Sequence, residues 1–231
     1  LKRARTPASA GEDMYPRLRQ VMDDPEIWKK DSVRFEILRH FDYFVTESTR
    51  HMSEYVPYFR KTREQMEQLG LQLRQPNEVA VDHRWEWLQD IKQQLMESEE
   101  HQLKPSGEYA SHIIHAIETN EPFRFNGNVI NNGLISNLPP ECCVEVPCLV
   151  DGTGVRPCAV GALPTHLAAL NMTNVAVQKL MVEACLEKSR QKAYYATALD
   201  PLTAGQCNLD QIRAMFDEMW EAEQPWLEGY S

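Results

Sequence analysis

Apolar and polar residues alternate at period two in only one window of this chain, and that window sets the fold class. The segment EPFRFNGNV alternates from Pro122 to Val129, as a half-buried strand requires. VEVPCLVDGTGVRPCAVGALP then reads as a hairpin turning at Asp151–Gly154, joined to the first strand through NNGLISNLP. The other patterned stretches repeat at helical spacing. The expected class is therefore α+β, a helix-rich domain around a small antiparallel sheet.

The helices announce themselves by their ends and stripes. MYPRLRQVM predicts a short helix, and DDPEIW restarts the chain with Pro25 in a first turn. Asp31 is placed to cap a helix with Phe35, Leu38, Phe41 and Val45 on its apolar face. From Lys61 to Glu100 the pattern is helical and charged, interrupted near Gly70 and Pro76. Trp85, Leu88, Ile91 and Leu95 form one stripe there, and ESEEH is a solvated end. Pro105 and Ser106 start the next helix, which turns Tyr109, Ile113, Ala116 and Ile117 inward and stops at Asn120. After the strands, Pro164 opens a helix striped by Val177, Leu180, Met181, Ala184 and Cys185. The last helix begins at Asn208, with Gln211 placed to return a capping hydrogen bond. Ile212, Met215, Phe216, Met219 and Trp220 repeat its spacing. There is no internal repeat.

The totals exclude several functions. A length of 231 residues suits one large domain or two small ones, and 42% hydrophobic with 25% charged residues is ordinary for a soluble globular chain. A net charge of -10 opposes bulk attraction to nucleic-acid phosphate or anionic lipid, so neither is an expected partner. No apolar run approaches the roughly 18 residues that span a bilayer. Cys142, Cys143, Cys148, Cys158, Cys185 and Cys207 include no CxxC pair, which argues against a zinc ribbon. Reduced, mostly buried thiols in a cytoplasmic protein are expected, with Cys142 and Cys143 on opposite faces of a strand. The chain opens on Leu1 in LKRARTPASAGED, without an initiator Met, and reads as starting inside a longer protein.

Val45 to Phe59, VTESTRHMSEYVPYF, is the densest polar stretch. It carries Thr46, Ser48, Thr49, Ser53, Glu47, Glu54, His51 and two tyrosines on a frame of Val45, Met52, Val56, Pro57 and Phe59. That mixture suits the polar wall of a pocket for a hydroxyl-rich ligand, and it equally suits a loop that hydrogen-bonds itself. Glu47 and His51 are four apart, so a helical turn brings them to one face as a proton-transfer pair or as two ligands of an incomplete metal site. His112 and His115 share a helix face, where one buried histidine is expected, a pocket role being the alternative. Asn126, Asn128, Asn131 and Asn132 crowd the first strand and its turn, which positive φ explains as well as a ligand does. No loop cradles a dinucleotide: the one GxG, Gly152-Thr153-Gly154, is a hairpin tip.

Several long segments resemble glycoside hydrolase family 4, in its α-galactosidase and α-galacturonidase branch. They are GEDMYPRL, DPEIWKKDSVRFEILRHFDYFVTESTRHMSEYVPYFRK, EYASHIIHAIETNEPFRFNGNVINNGLISNLPPECCVEVPCLVD and PTHLAALNMTNVAVQKLMVEA. The likeness covers residues 1–231 as the family's C-terminal domain, which resembles that of lactate and malate dehydrogenases. It implies an N-terminal Rossmann domain holding NAD and metal motifs holding manganese, both before Leu1. No residue of this chain is expected to bind either. The implied chemistry departs from the two-carboxylate scheme of most glycosidases. NAD oxidises carbon 3 of the sugar, a base takes the proton on carbon 2, the aglycone leaves, water adds and the hydride returns. Tyr55-Val-Pro-Tyr58 matches the family's YxxY segment, which makes Tyr55 the implied catalytic base. Glu47, Ser48, His51, Glu54, Tyr58, Asn131 and Asn132 are the implied substrate contacts. Arg74 before QPNEV is a loose counterpart of a phosphate-binding arginine in the phospho-glycosidase branch. The substrate is expected to be an α-galactoside or α-galacturonide and the assembly a homo-oligomer. The alternative is a catalytically inactive module for sugar binding or assembly.

Overall fold

A computed structural model describes residues 13–71, 81–96 and 108–230. Expectations on residues 1–12, Arg74, Pro76, ESEEH, Pro105 and Ser106 lie outside them. In chain order the elements are α1 (Tyr15–Val21), α2 (Pro25–Trp28), α3 (Ser32–Phe41), α4 (Thr49–Tyr55), α5 (Arg63–Gln68), α6 (Val81–Met96) and α7 (Ala110–Thr119). Strands β1 (Phe123–Ile130), β2 (Cys143–Asp151) and β3 (Gly154–Pro157) follow. Then come α8 (Thr165–Glu187), α9 (Arg190–Leu199), α10 (Pro201–Gln206), α11 (Leu209–Ala222) and a 3-10 turn at Gln224–Trp226. The sheet runs in the order β1-β2-β3, with β2 and β3 antiparallel. The helix-rich α+β class with one small antiparallel sheet is thus the observed one.

The chain divides into two compact units, one from the described parts of Leu1–Leu71, Asn128–Val146 and Ala159–Ser231, the other from Gln72–Gly127 and Pro147–Cys158. In the first, α3 is buried on two sides. Val33 and Ile37 join Val56, Phe59, Met66, Leu69 and Leu71 in one cluster, while Phe35 and Leu38 pack with Met22 in another. Each such side chain contributes about 1.5–3 kcal/mol when fully buried, so α3 is the anchor on which neighbouring segments are hung. Asp31 does occupy the cap position, but its side chain makes no capping bond. It instead accepts from Arg34 Nη1 at 3.0 Å, and the buried Ser32 hydroxyl donates to the Leu69 carbonyl at 2.6 Å. Nor does Val45 belong to the α3 face. The helix stops at Asp42, in a left-handed conformation (φ 66°), and Val45 reaches the same core from the following loop.

Elsewhere in this unit, Ala184, Ala193 and Phe216 form a cluster where α8, α9 and α11 meet. The predicted capping box is present: Asn208 and Gln211 exchange hydrogen bonds of 2.9 Å each. The stripes are only half used. Ala184, Ile212 and Phe216 are buried, whereas Met181, Cys185 and Met219 are exposed. Periodicity marks an apolar side, and the described neighbours cover only part of it.

In the second unit Asn120 ends α7 with φ 61°, as expected, and its side chain accepts from Gly152 N–H at 3.0 Å. A Cβ at Gly152 would meet that Asn120 oxygen at 2.8 Å, so the contact requires glycine. Ala116 is buried, but Tyr109 and Ile117 are exposed, as are Leu88 and Leu95 on α6. Both histidines of α7 are exposed too, correcting the expectation of a buried one; His112 stacks on Phe123 at 5.1 Å. Cys142, in the bend before β2, is buried and Cys143, the first residue of the strand, is exposed, and none of the six cysteines forms a disulfide. Only Cys142 and Cys148 are buried, fewer than expected.

The β2–β3 hairpin pairs Asp151 with Gly154, whose φ of 103° suits glycine. The Asp151 carboxylate accepts from the Thr153 hydroxyl at 2.7 Å, from Thr153 N–H at 2.9 Å and from Arg156. These bonds, the Thr153 hydroxyl foremost, hold its pKa down to about 2. Because the folded value lies below the unfolded one of about 3.9, the turn's stabilisation is complete above that pH and is lost as pH falls through the folded value. A carboxyl NMR titration should show a midpoint near 2 for Asp151. A midpoint near 4, the unperturbed range, would show that the turn does not hold the carboxylate.

Candidate functional site

Backbone anchors present the polar stretch after α3. Arg34 lies 4.1 Å over the Phe44 ring and donates to the Val45 carbonyl at 2.9 Å, while Phe44 N–H donates to the Tyr15 hydroxyl at 3.2 Å. Ser48 then caps α4, accepting from His51 N–H at 3.4 Å. Val56 and Phe59 are buried, and Val45 and Met52 pack on the same core, so the apolar frame is in place.

Three groups of predicted residues emerge. Glu47 Oε1 accepts from Ser48 N–H at 2.7 Å and lies 3.2 Å from His51 Nδ1. The Ser48 amide chiefly, and then His51, hold the Glu47 carboxyl below its ordinary range against some desolvation. A carboxylate only accepts, so the ring donates Nδ1–H to it, and Nε2 of the neutral imidazole is left as an acceptor. Glu54 forms the second group: Arg60 donates to it at 3.1 Å and to the buried Ser53 hydroxyl at 3.0 Å. The third group holds the tyrosines. Tyr55 is the last residue of α4, its side chain exposed and its carbonyl accepting from Asn174 Nδ2 of α8 at 3.0 Å. Tyr58 is 42% exposed, with its ring against Phe41 at 5.9 Å and edge-on to Phe59 at 6.2 Å. It lines a hollow of about 440 Å³ with Ile37, Phe41, Phe59, Glu36, His40 and Gln65.

Asn131 does something else. It is fully buried, and its amide donates to the carbonyls of Ile135, Leu138 and Pro139 at 3.0 Å each while accepting from Ile135 N–H at 2.7 Å. The side chain is spent as a staple of its own loop and is not presented to a ligand. Asn132 stands exposed beside it with φ 42°, a conformation that asparagine tolerates.

Residues 1–203 match the model of the family 4 glycosyl hydrolase C-terminal domain. The chain belongs to glycosyl hydrolase family 4. It is 38% identical over 223 residues to an alpha-galactosidase of Bacillus subtilis (strain 168), covering 95% of this chain and 51% of that protein. An alpha-galactosidase of Rhizobium meliloti (strain 1021) is 31% identical over 221 residues, covering 90% and 44%. Among solved structures, a 6-phospho-alpha-glucosidase from gut microorganisms, in complex with NAD and Mn2+, superposes with a TM-score of 0.66 at 22% identity. That match covers 94% of this chain and 50% of the other, and it shows a shared fold. The chain spans about half the length of the curated relatives it matches.

The described residues of this family 4 domain fit neither group bound in that relative. No three His, Cys, Asp or Glu among them converge to hold a metal ion, so the Glu47–His51 pair has no third ligand there. Gly152-Thr153-Gly154 is the tip of the β2–β3 hairpin, with no helix to follow it.

Sequence reasoning missed the residues that hold the tyrosine segment. Arg60 braces Ser53 and Glu54, Lys61 Nζ donates to the Gly205 carbonyl at 3.2 Å, and Gln206 donates to the Arg60 carbonyl. One signal was available. Glycine inside a helix costs about 1 kcal/mol relative to alanine, so Gly205 in α10 marks a close approach. A Cβ there would stand 2.9 Å from Pro57 Cβ. Gly205→Ala must push Pro57 aside, and overpacking of this kind costs about 1–3 kcal/mol. Chemical denaturation should report a loss of that size. Wild-type stability in the variant would mean that α10 does not clamp the tyrosine segment.

Proposed function

We propose that this domain is the C-terminal, substrate-facing and subunit-pairing part of an NAD- and manganese-dependent α-glycosidase that hydrolyses O-glycosyl bonds of α-galactosides. The observation that carries this reading is the family match across residues 1–203, within which Tyr55 ends α4 with an exposed phenol. The name shared by the two curated relatives supports a galactoside over a galacturonide. Tyr55 takes the proton from carbon 2 of the sugar, and a phenolate can do so once something nearby stabilises its charge. Glu47, Ser48, His51 and Asn132 supply polar contacts to the sugar's hydroxyls, with His51 held by Glu47. Glu54, whose carboxylate accepts from Arg60, is a further polar contact to the sugar.

The same reading makes the protein a cytoplasmic homo-oligomer. Six cysteines without a disulfide among them support a reducing compartment. Exposed Val182, Leu186, Leu209 and Met219 on α8 and α11 supply apolar surface for a second copy. No described helix is long and apolar enough to cross a membrane. The test is hydrolysis of 4-nitrophenyl α-galactoside and of 4-nitrophenyl α-galacturonide by the full-length protein, with NAD and Mn2+ added or withheld. Galactoside turnover that needs both additions is expected. Turnover of neither substrate under any condition would overturn the reading in favour of a binding or assembly module.

A further inference from the structure

The hollow beside Tyr58 is not explained by proton transfer at Tyr55. Its apolar lining includes Phe41 and Tyr58, packed against each other. Tyr58 is pinned by Phe41 on one side and Phe59 on the other, and Gln65 Nε2 fixes its carbonyl at 2.9 Å. An exposed ring held on both sides loses little freedom when a ligand lies on it. Glu36 also lines it, and its Oε1 accepts from Trp28 Nε1 at 3.2 Å and from Arg39 at 3.0 Å. Its Oε2 faces His40 Nε2 at 3.6 Å, across a gap that a hydroxyl could bridge.

The geometry points to a second carbohydrate subsite in this hollow, one that takes a neutral hexosyl ring of the substrate's leaving group. The subsite rests on the α-glycosidase reading above. The C–H face of a sugar carries slight positive charge and lies well on the negative face of an aromatic ring, while its hydroxyls donate to a fixed carboxylate. A volume of about 440 Å³ lies in the range of small-molecule sites. Charge selects among sugars. Glu36 is a lining carboxylate, and the nearby Arg39 is already engaged by Glu36 and Asp23, so the site favours a neutral ring over a uronate or a sugar phosphate. Tyr55 and Tyr58 are three residues apart, which limits their Cα separation to about 11 Å. Adjacent rings of one oligosaccharide span such a distance.

Two measurements on the full-length protein test this. With NAD and Mn2+ present, Tyr58→Leu keeps apolar packing and removes the aromatic face. It should lower kcat/KM for raffinose relative to methyl α-galactoside at least tenfold, through KM, while Tyr58→Phe leaves that ratio near wild type. Without turnover, saturation-transfer NMR should detect sucrose on the wild-type protein, and neither glucuronate nor glucose 6-phosphate, and the sucrose signal should vanish in Tyr58→Leu. Equal losses on both substrates, or sucrose contacts that persist in Tyr58→Leu, would overturn the subsite. If no α-galactoside is hydrolysed by the wild type, the glycosidase reading fails, and the sucrose measurement still decides whether the hollow binds a neutral sugar.

Discussion

Tyr55→Phe in the full-length enzyme is expected to lower turnover of an α-galactoside by about 10²- to 10⁴-fold, the usual contribution of a general base. The substitution is informative because the phenol's two parts do different work. The Tyr55 carbonyl, held by Asn174 Nδ2, and the helix it ends depend on the backbone, which Phe retains. The hydroxyl is the part that accepts a proton, and it is all that is lost. NAD affinity and thermal stability should therefore stay at wild-type levels while turnover falls. Tyr58→Phe is the matched control, since its ring is held by Phe41 and Phe59, and it should cost far less. An isotopic measurement sharpens the assignment. During turnover in heavy water the proton on carbon 2 should exchange with solvent, and Tyr55→Phe should slow that exchange in step with turnover. Near-normal turnover and exchange in the variant would remove Tyr55 from the role. His51 would then be the next base to examine, because its Nε2 is left as an acceptor by the Nδ1 contact to Glu47.

The parts of this molecule that were legible in the sequence are those decided within a few residues of chain. Pro25 behind Asp24, Asn208 with Gln211, the glycine turn after Asp151 and the Glu47–His51 spacing all depend on local geometry, and all formed. What failed depends on neighbours far along the chain. Leu88, Leu95, Met181 and Met219 have the spacing of a core face and are exposed, because a period says which side is apolar and not what covers it. Asp31 has the right chemistry for a cap, but Arg34, drawn over Phe44, takes its carboxylate. Arg60 and Asn174 brace the tyrosine segment through partners that no local motif names.

Asn131→Ala is expected to destabilise the domain by about 3–5 kcal/mol, the range seen when a buried hydrogen-bond network is broken. In sequence this residue is one of four asparagines near a turn, and turn chemistry, ligand contact and buried staple look alike there. The structure separates them. Asn131 is fully buried, and its amide accepts from Ile135 N–H and donates to three loop carbonyls. Alanine strands the Ile135 N–H and the Leu138 carbonyl, at about 1–3 kcal/mol for each group left truly unpaired, while the Ile135 and Pro139 carbonyls keep the Leu138 and Cys142 N–H groups as donors. Relaxation of the loop recovers part of that, which is why the expected total is less than the sum. Asn131→Asp should be at least as harmful, since a carboxylate keeps the acceptor for Ile135 N–H but turns a second oxygen toward three carbonyl oxygens. Asn132→Gly is the contrasting change: φ there is 42° and the side chain is exposed, so glycine fits the backbone at little cost. Urea denaturation of the three variants reads the difference directly, and a loss of 3–5 kcal/mol corresponds to a Tm lowered by about 6–20 °C for a chain of this size. A substrate-contact role predicts the opposite pattern, with unchanged stability and a raised KM in Asn131→Ala. That result would return Asn131 to the sugar and leave the loop from Asn131 to Pro139 to be held by its backbone alone.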